Sequence, residues 1–275
     1  MRNNTWSKMF GWTLMALLLI GGAALAQDLT ADAILDRMDA EGDVLAEGSM
    51  ISQMRIDVNH PDGTTTWQTS AVLSKPGRML IYQLEPEDYN KGSMWLIVEQ
   101  EDDDSRLWMY LPALGIAKEL VTEEQRGGSF AGSSISLEDI GGDYQREDYD
   151  AVLIGEEVVA VGNEDRTAYV LESTAKPDTD QDIVRTVLWV EKESFVMLKM
   201  EAYNDLGNLE RTLKVLKLGE FEGHLVAEVM FDRNELEQKE TTITFLERRR
   251  PAGEIPDEVF DPETLVSFDP AAWGL

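Results

Sequence analysis

The chain of 275 residues contains no cysteine and only two histidines, His60 and His224. Without cysteine there is no disulfide framework, no thiol nucleophile and no thiolate metal site. Both histidines fall in predicted turns with no second ligand at a metal-binding spacing, so a histidine metal site is not expected. Stability must therefore come from burial of an apolar core, and a chain of this length is long enough for one large β domain.

Basic residues are scarce: 24 Lys and Arg stand against 53 Asp and Glu, which gives a formal net charge of −29. A nucleic acid or an anionic membrane surface would repel such a chain, so neither is an expected partner. The acidic surface favours solubility. It would also keep a carrier of apolar cargo from adhering to acidic lipid surfaces, and composition does not separate these two interpretations.

Only one long apolar run occurs, Met9–Ile20, and it lies between a basic start with Arg2 and Lys8 and the tripeptide Ala24-Leu25-Ala26. This order of segments is typical of a secretory signal peptide, so we expect residues 1–26 to be removed. An uncleaved anchor is the alternative, but the run is shorter than the roughly 20 residues of a membrane span. We therefore expect residues 27–275 to form a single exported domain in the periplasm that does not span a membrane.

Motifs for catalysis are also missing. Ser129 lies in the sequence GGSFAG, which does not fit the G-x-S-x-G elbow of serine hydrolases. The glycines around it are not followed by the G-K-[ST] of a phosphate-binding loop, and carboxylates are too abundant for any pair to stand out. We expect neither an enzyme nor a cofactor or metal site.

What the chain has instead is hydrophobic alternation with a period of two. Met54, Ile56 and Val58 alternate with polar residues, and a turn with typical chemistry at 60–63 leads into a second strand that carries Trp67. A short helix is predicted before these strands, capped by Thr30 and ended by Gly42. Further strands with regular turn signals are predicted at 79–84, 94–98, 106–111, 151–161, 166–173, 183–191, 195–203, 209–218, 227–231 and 241–246. Such spacing favours an antiparallel meander, sandwich or barrel.

The strand at 106–111 is apolar on both faces. Leu107, Met109 and Leu111 point to one side and Trp108 and Tyr110 to the other, because side chains alternate along a strand. Neither face suits water. The pattern is equally compatible with a central strand of a sandwich and with a surface that faces a ligand.

A glycine loop (residues 127–137) follows this strand. Gly127, Gly128 and Gly132 are spaced so that the backbone can bend tightly around Phe130, and Ile135 follows them. An aromatic residue on a loop beside an apolar sheet is a candidate lid or gate.

Large flexible apolar side chains are frequent on the predicted strands. Methionine adapts to irregular space, which suits a cavity for lipid chains, although ordinary core packing explains any single one of these residues. The candidate cavity wall consists of Met54, Trp67, Leu80, Trp95, Trp108, Tyr110, Met200 and Met230.

Several segments are similar to the LolA-like outer-membrane lipoprotein-sorting proteins. The most specific are WMYLPALGIAKEL and SFAGSSISLEDI, and EPEDYNKGSMWLI, VEKESFVMLKMEAYNDLGNL and IPDEVFDPETL follow the same order along residues 30–268. The loop of the family usually reads G-S-D-F, whereas this chain has Gly132-Ser133-Ser134-Ile135 and lacks the acid and the aromatic.

The resemblance implies a mainly β fold in which a curved antiparallel sheet forms an incomplete half-barrel closed by a few short helices and a loop. It also implies lipid or lipoprotein acyl chains as cargo and an inner-membrane transporter of the RND/MMPL type as a partner. We therefore expect a non-enzymatic periplasmic carrier. The alternative is a sensor or adaptor that uses the same fold to bind proteins, with Trp108 and Phe130 packed on protein.

Overall fold

Thirteen β-strands dominate the structure, a computed structural model that describes residues 29–275 except 88, 89, 101–104, 138, 139, 141–145, 178 and 180. The predicted signal peptide therefore lies outside the described residues. Among the residues described, no helix is long and apolar enough to cross a membrane. The helices α1 and α2 span Ala31–Ala46 and Glu123–Arg126.

Except for β6 (Ile116–Leu120), which the sequence pattern did not predict, the strands agree with the predictions, and most extend one to three residues beyond the predicted ends; β10 (Met197–Asn204) begins two residues later than predicted. Their bounds are β1 Met50–Asn59, β2 Thr65–Lys75, β3 Arg78–Glu85, β4 Met94–Val98, β5 Arg106–Leu111, β6 Ile116–Leu120, β7 Tyr149–Val161, β8 Glu164–Ala175, β9 Ile183–Glu191, β10 Met197–Asn204, β11 Leu209–Phe221, β12 His224–Asn234 and β13 Lys239–Arg249.

All thirteen strands belong to one antiparallel sheet in the order β6-β5-β4-β3-β2-β1-β13-β12-β11-β10-β9-β8-β7. The chain meanders outward from β1 to one edge at β6, restarts at the opposite edge with β7, and meanders back until β13 pairs with β1. The sheet is curved and does not close, because β6 and β7 remain at its two edges. The predicted fold class is confirmed.

The helix α1 begins as predicted and ends later than predicted. The Thr30 side chain caps it by accepting a hydrogen bond from the Ala33 N–H at 3.2 Å. The predicted stop at Gly42 is wrong, because the helix continues through this glycine to Ala46. A single glycine inside a helix costs only about 1 kcal/mol. Gly48, with φ +72°, takes the left-handed conformation just beyond the helix end.

The sheet has two faces with different covers over β1 to β5. The tail (residues 250–275), folded into short 3-10 turns, covers what we call the tail face. There Ile255, Phe260 and Leu265 pack on the sheet residues Ile51, Leu73, Leu80, Met94, Leu96, Trp108 and Tyr110. The glycine loop covers the opposite loop face, where its residues Phe130 and Leu137 pack on Met54, Ile56, Val58, Ile81, Trp95, Ile97, Leu107 and Leu120.

Strand register shows that α1 lies on the loop face too. Directly paired residues share a face, and the pairs run in sequence from β12 to β8 as Asp232–Leu213, Leu213–Met200, Met200–Leu188 and Leu188–Leu171. Ile34 and Leu35 of α1 pack on this row. The helix and the glycine loop are therefore two separate covers on the same face of the sheet.

Candidate functional site

The doubly apolar strand β5 is covered by protein on both sides. Leu107 lies on the loop face and Trp108 and Tyr110 on the tail face, as alternation predicts. The glycine loop covers one face and the tail covers the other. Trp108 retains only 7% of its exposed surface, so its apolar surface is accounted for by contacts with the tail and the sheet.

The eight candidate wall residues do not share one face. Met54 and Trp95 lie on the loop face under the glycine loop, and register places Met200 and Met230 on that face as well. Leu80, Trp108 and Tyr110 lie under the tail, and register places Trp67 on the tail face through its partner Asp57. Trp67 is 41% exposed, with the Arg55 guanidinium 4.4 Å from its ring. Sequence alternation finds both faces but does not say which elements cover them.

The glycine loop closes on itself through backbone hydrogen bonds. Phe130 N–H donates to the Ile135 carbonyl at 2.8 Å, and Leu137 N–H donates to the Gly128 carbonyl at 2.9 Å. At the tip, Ala131 and Gly132 both have positive φ, +53° and +74°. A left-handed pair of this kind makes the tight bend that the glycine spacing predicts. The loop therefore presents Phe130 from a backbone that is itself hydrogen-bonded.

Phe130 is buried on the loop face. Its ring meets Trp95 edge-on, with 4.9 Å between the centroids and 73° between the planes. Such a T-shaped contact is favoured by the quadrupoles of the two rings and adds to the area that they bury. Phe130 thus anchors the loop to the sheet through an apolar contact.

A second contact anchors the loop through polar groups. The Ser134 hydroxyl lies 2.6 Å from an Asp232 carboxylate oxygen and 2.7 Å from the Thr241 hydroxyl, and Ser134 N–H donates to Thr241 Oγ1 at 2.8 Å. Arg211 donates to the other Asp232 oxygen at 2.6 Å. Asp232 is 2% exposed, so the network is buried. We did not predict this network from the sequence; its only signal there is that Ser134 stands where the family loop has an acid.

Between the two covers, the middle of the sheet keeps apolar side chains that are only half-buried. We call Met230, Ile243 and Phe245 the central floor; they share the loop face because Ile243 pairs with Ile56 and Met230, and Phe245 pairs with the buried Met54. Ile, Phe and Met are among the residue types most often fully buried in proteins. Here Met230, Ile243 and Phe245 are only partly buried.

The helix bounds this floor at one end of the strands. Glu41 of α1 meets His224 at 3.0 Å at the start of β12, and Arg250 donates to the Glu47 carbonyl at 2.8 Å after the end of β13. The glycine loop bounds the other end, where Ser134 meets Asp232 and Thr241. The floor thus lies between a helix and a loop that are each fastened to the sheet by side-chain contacts.

Two clefts lie away from the central floor. One, of about 780 Å³, is lined by charged and polar side chains around the turn between β7 and β8. The other, of about 460 Å³, lies on the tail face, where Tyr82, Leu84 and Leu246 face Pro270 and Leu275 of the tail. Within the described part of the chain, no group of three or more His, Asp or Glu residues is placed to hold a metal ion.

Solved structures of other proteins share this architecture. A DUF1329 family protein from Desulfovibrio piger is 24% identical and superposes with a TM-score of 0.74 over 86% of this chain and 98% of its own. A putative outer membrane lipoprotein-sorting protein domain from Vibrio parahaemolyticus is 22% identical, with a TM-score of 0.69 over 85% and 97% of the two chains. A LolA superfamily protein from Nitrosomonas europaea is 21% identical, with a TM-score of 0.62 over 84% and 97%.

These likenesses define the class: the chain has the LolA-like fold, as the sequence resemblance predicts. A protein-family model whose description reads only "uncharacterized protein" matches residues 76–267. Since this match spans more than half of the chain, the protein belongs to that family. No curated protein sequence matches the chain.

Proposed function

We propose that the protein is a periplasmic carrier that binds the acyl chains of lipids or lipoproteins on the loop face and moves them towards the outer membrane. The main support is the central floor, where Met230, Ile243 and Phe245 are only partly buried in the middle strands between α1 and the glycine loop. Covering such a surface with an acyl chain is favourable by about 25 cal/mol per Å² of apolar area. The likeness to a protein named for lipoprotein sorting supports the same role.

The glycine loop is attached to the sheet through two anchors, Phe130 and Ser134, so the carrier could open by releasing them. Phe130 packs on the loop face beside the central floor. The short loop that carries it is held together by its own backbone hydrogen bonds. Moving the loop would uncover Trp95 and enlarge the apolar surface without breaking any strand pair. Residues 27–275 would then act as one carrier domain. Cargo would pass to or from the domain through an inner-membrane transporter of the RND/MMPL type.

A matched pair of variants on β13 tests the proposal. Ile243→Asn places an amide on the central floor, whereas Leu246→Asn places the same amide on the opposite face, where Leu246 is 55% exposed. Displacement of a fluorescent fatty acid by a lipopeptide would be measured for both variants and for the unchanged protein. We expect Ile243→Asn to weaken binding roughly tenfold, because an apolar contact is replaced by an unpaired polar group.

Equal affinities in the two variants would contradict a binding surface at the central floor. Leu246→Asn should bind like the unchanged protein, and because Ile243 also packs against the core, the affinities are compared under conditions where both variants are folded. Absence of lipid from native mass spectra of periplasmic material would contradict the carrier role itself.

The sensor or adaptor alternative is favoured by one observation. Trp108 and Phe130 both pack on protein, as that alternative expects. It requires a protein partner whose binding is unaffected by lipid. A pull-down from periplasmic extract, repeated with the Ile243→Asn variant and with added fatty acid, separates the two functions: a partner retained equally under all three conditions supports the adaptor.

A further inference from the structure

Three consecutive arginines, Arg248 and Arg249 at the end of β13 and Arg250 just beyond it, differ in what neutralises them. Arg249 meets the Glu247 carboxylate at 3.3 Å and Arg250 meets Glu222 at 3.0 Å. For Arg248, none of the described residues places a carboxylate within ion-pair distance. Carboxylates outnumber basic residues by more than two to one in this chain. The other described basic residues without an ion pair, Arg37, Lys118 and Lys214, are exposed, whereas Arg248 is partly buried.

A β-bulge directs Arg248 onto the loop face. Phe245 pairs with Met54, but Arg248 pairs with Ser52, so Leu246 is an extra residue between them. In a regular strand, side chains three residues apart point to opposite faces. The extra residue places Phe245 and Arg248 on the same face instead, which is a known effect of bulges beside functional sites. Without the bulge, Arg248 would point away from the central floor.

The Arg248 guanidinium lies against the end of the central floor. It stacks 3.9 Å above the Phe245 ring and donates one hydrogen bond, at 2.6 Å, to the Ala227 carbonyl. A guanidinium carries five N–H groups, so its donor capacity is mostly unused by protein partners within the described residues.

Burial lowers the pKa of Arg248, and the charge of Glu228 opposes this shift. An arginine nonetheless remains charged in proteins. Glu228 is itself paired with Lys217 at 2.6 Å. A half-buried charge without a close counter-ion is costly, and buried charges are normally paired. A bound anion would remove this cost.

We infer that Arg248, turned inward by the bulge and stacked on Phe245, binds the anionic head of an amphiphile whose chain lies along the central floor. This inference rests on the proposed function and narrows its cargo to amphiphiles that end in a carboxylate or phosphate. The planar guanidinium suits either group because it can donate two parallel hydrogen bonds. The open floor from Phe245 to Met230 then receives the apolar part.

Head-group selectivity tests the inference. Calorimetric affinities would be measured for dodecanoate, dodecanol and dodecyltrimethylammonium with the unchanged chain, Arg248→Gln and Arg249→Gln. The last variant removes the same charge from an arginine already paired with Glu247. We expect the unchanged chain and Arg249→Gln to prefer dodecanoate to dodecanol by about tenfold, since hydrogen bonds between charged groups are the stronger ones.

Arg248→Gln should lose this preference while its affinity for dodecanol stays the same, which a merely misfolded variant would not do. A preference that survives in Arg248→Gln, or that is lost equally in Arg249→Gln, would overturn the inference and leave the carrier function standing. Failure of the unchanged chain to bind dodecanol or dodecanoate would overturn both. Competition by inorganic phosphate would also be measured. If phosphate displaced bound dodecanoate as effectively as added dodecanoate does, the site would bind free anions and the head-group assignment would be overturned.

Discussion

Phe130 meets Trp95 edge-on across the loop face, and this contact joins the glycine loop to β4, a strand four positions from β13 in the sheet. Phe130 is 2% exposed, although it belongs to a loop. We expect Phe130→Ala to detach the loop while leaving the sheet folded, because no strand pair depends on this side chain. Hydrogen exchange of residues 127–137 should rise, and bound fatty acid should dissociate faster.

Phe130→Leu is the control for this prediction, since leucine keeps most of the apolar contact with Trp95. Its exchange and dissociation rates should lie close to those of the unchanged protein. Unaltered cargo retention in Phe130→Ala would remove the gate role from the glycine loop.

Ser134 and Thr241 form the polar anchor of the same loop around Asp232. We expect Ser134→Ala to lower the free energy of unfolding by about 1–3 kcal/mol, because a buried carboxylate loses one hydrogen-bond donor. Residues in one network are not independent, so the double variant Ser134→Ala/Thr241→Val should cost less than the two single variants added together. Urea unfolding of the four proteins measures this coupling. Strict additivity would contradict a shared network.

Trp108 lies on the tail face, where it packs under the tail. We expect Trp108→Ala to lower the free energy of unfolding by about 3–5 kcal/mol, the usual cost of removing a large buried aromatic side chain. Under conditions where the variant is folded, its fatty-acid affinity should match that of the unchanged protein. A selective loss of binding without a loss of stability would place the cargo on the tail face instead.

Lys75 fastens the tail to the sheet through Asp257, with which it forms an ion pair, and through the Ile255 carbonyl at 3.0 Å. The hydrogen bond from Lys75 lowers the pKa of Asp257 below its ordinary 3.8. A carboxylate with a lowered pKa stabilises the folded state above its unfolded pKa, and this contribution disappears as the pH falls through the folded value. The urea concentration at the unfolding midpoint should therefore decrease when the pH is lowered below about 4.

Lys75→Met is the matched control for the acid effect. Its urea midpoint should be lower than that of the unchanged protein at neutral pH. The midpoint should also decrease less on acidification, because Lys75 no longer lowers the pKa of Asp257. Identical acid profiles for the two proteins would show that this ion pair does not contribute to tail docking.

The strands could be predicted from the sequence because their pattern is local. Met54, Ile56 and Val58 alternate with polar residues, and the turn at 60–63 fixes where β1 ends. The bend of the glycine loop is local as well, since Gly132 adopts the positive φ that its position requires. The two apolar faces of β5 follow from alternation alone.

What the sequence did not show depends on contacts between distant segments. The pairing of β13 with β1 decides that Met230 and Met54 share a face, whereas Trp108 and Trp67 lie on the other. The continuation of α1 past Gly42 shows that one glycine is too weak a signal to end a helix. The bulge at Leu246, which turns Arg248 inward, has no pattern in the sequence of β13 by itself.

The most direct test of the account is photoaffinity labelling with a diazirine-bearing dodecanoate, followed by peptide mapping in a mass spectrometer. The account predicts labels on the central floor, at Met230, Ile243 and Phe245, and their loss when unlabelled dodecanoate is in excess. Labels confined to the tail face, around Trp67 and Leu246, would contradict it.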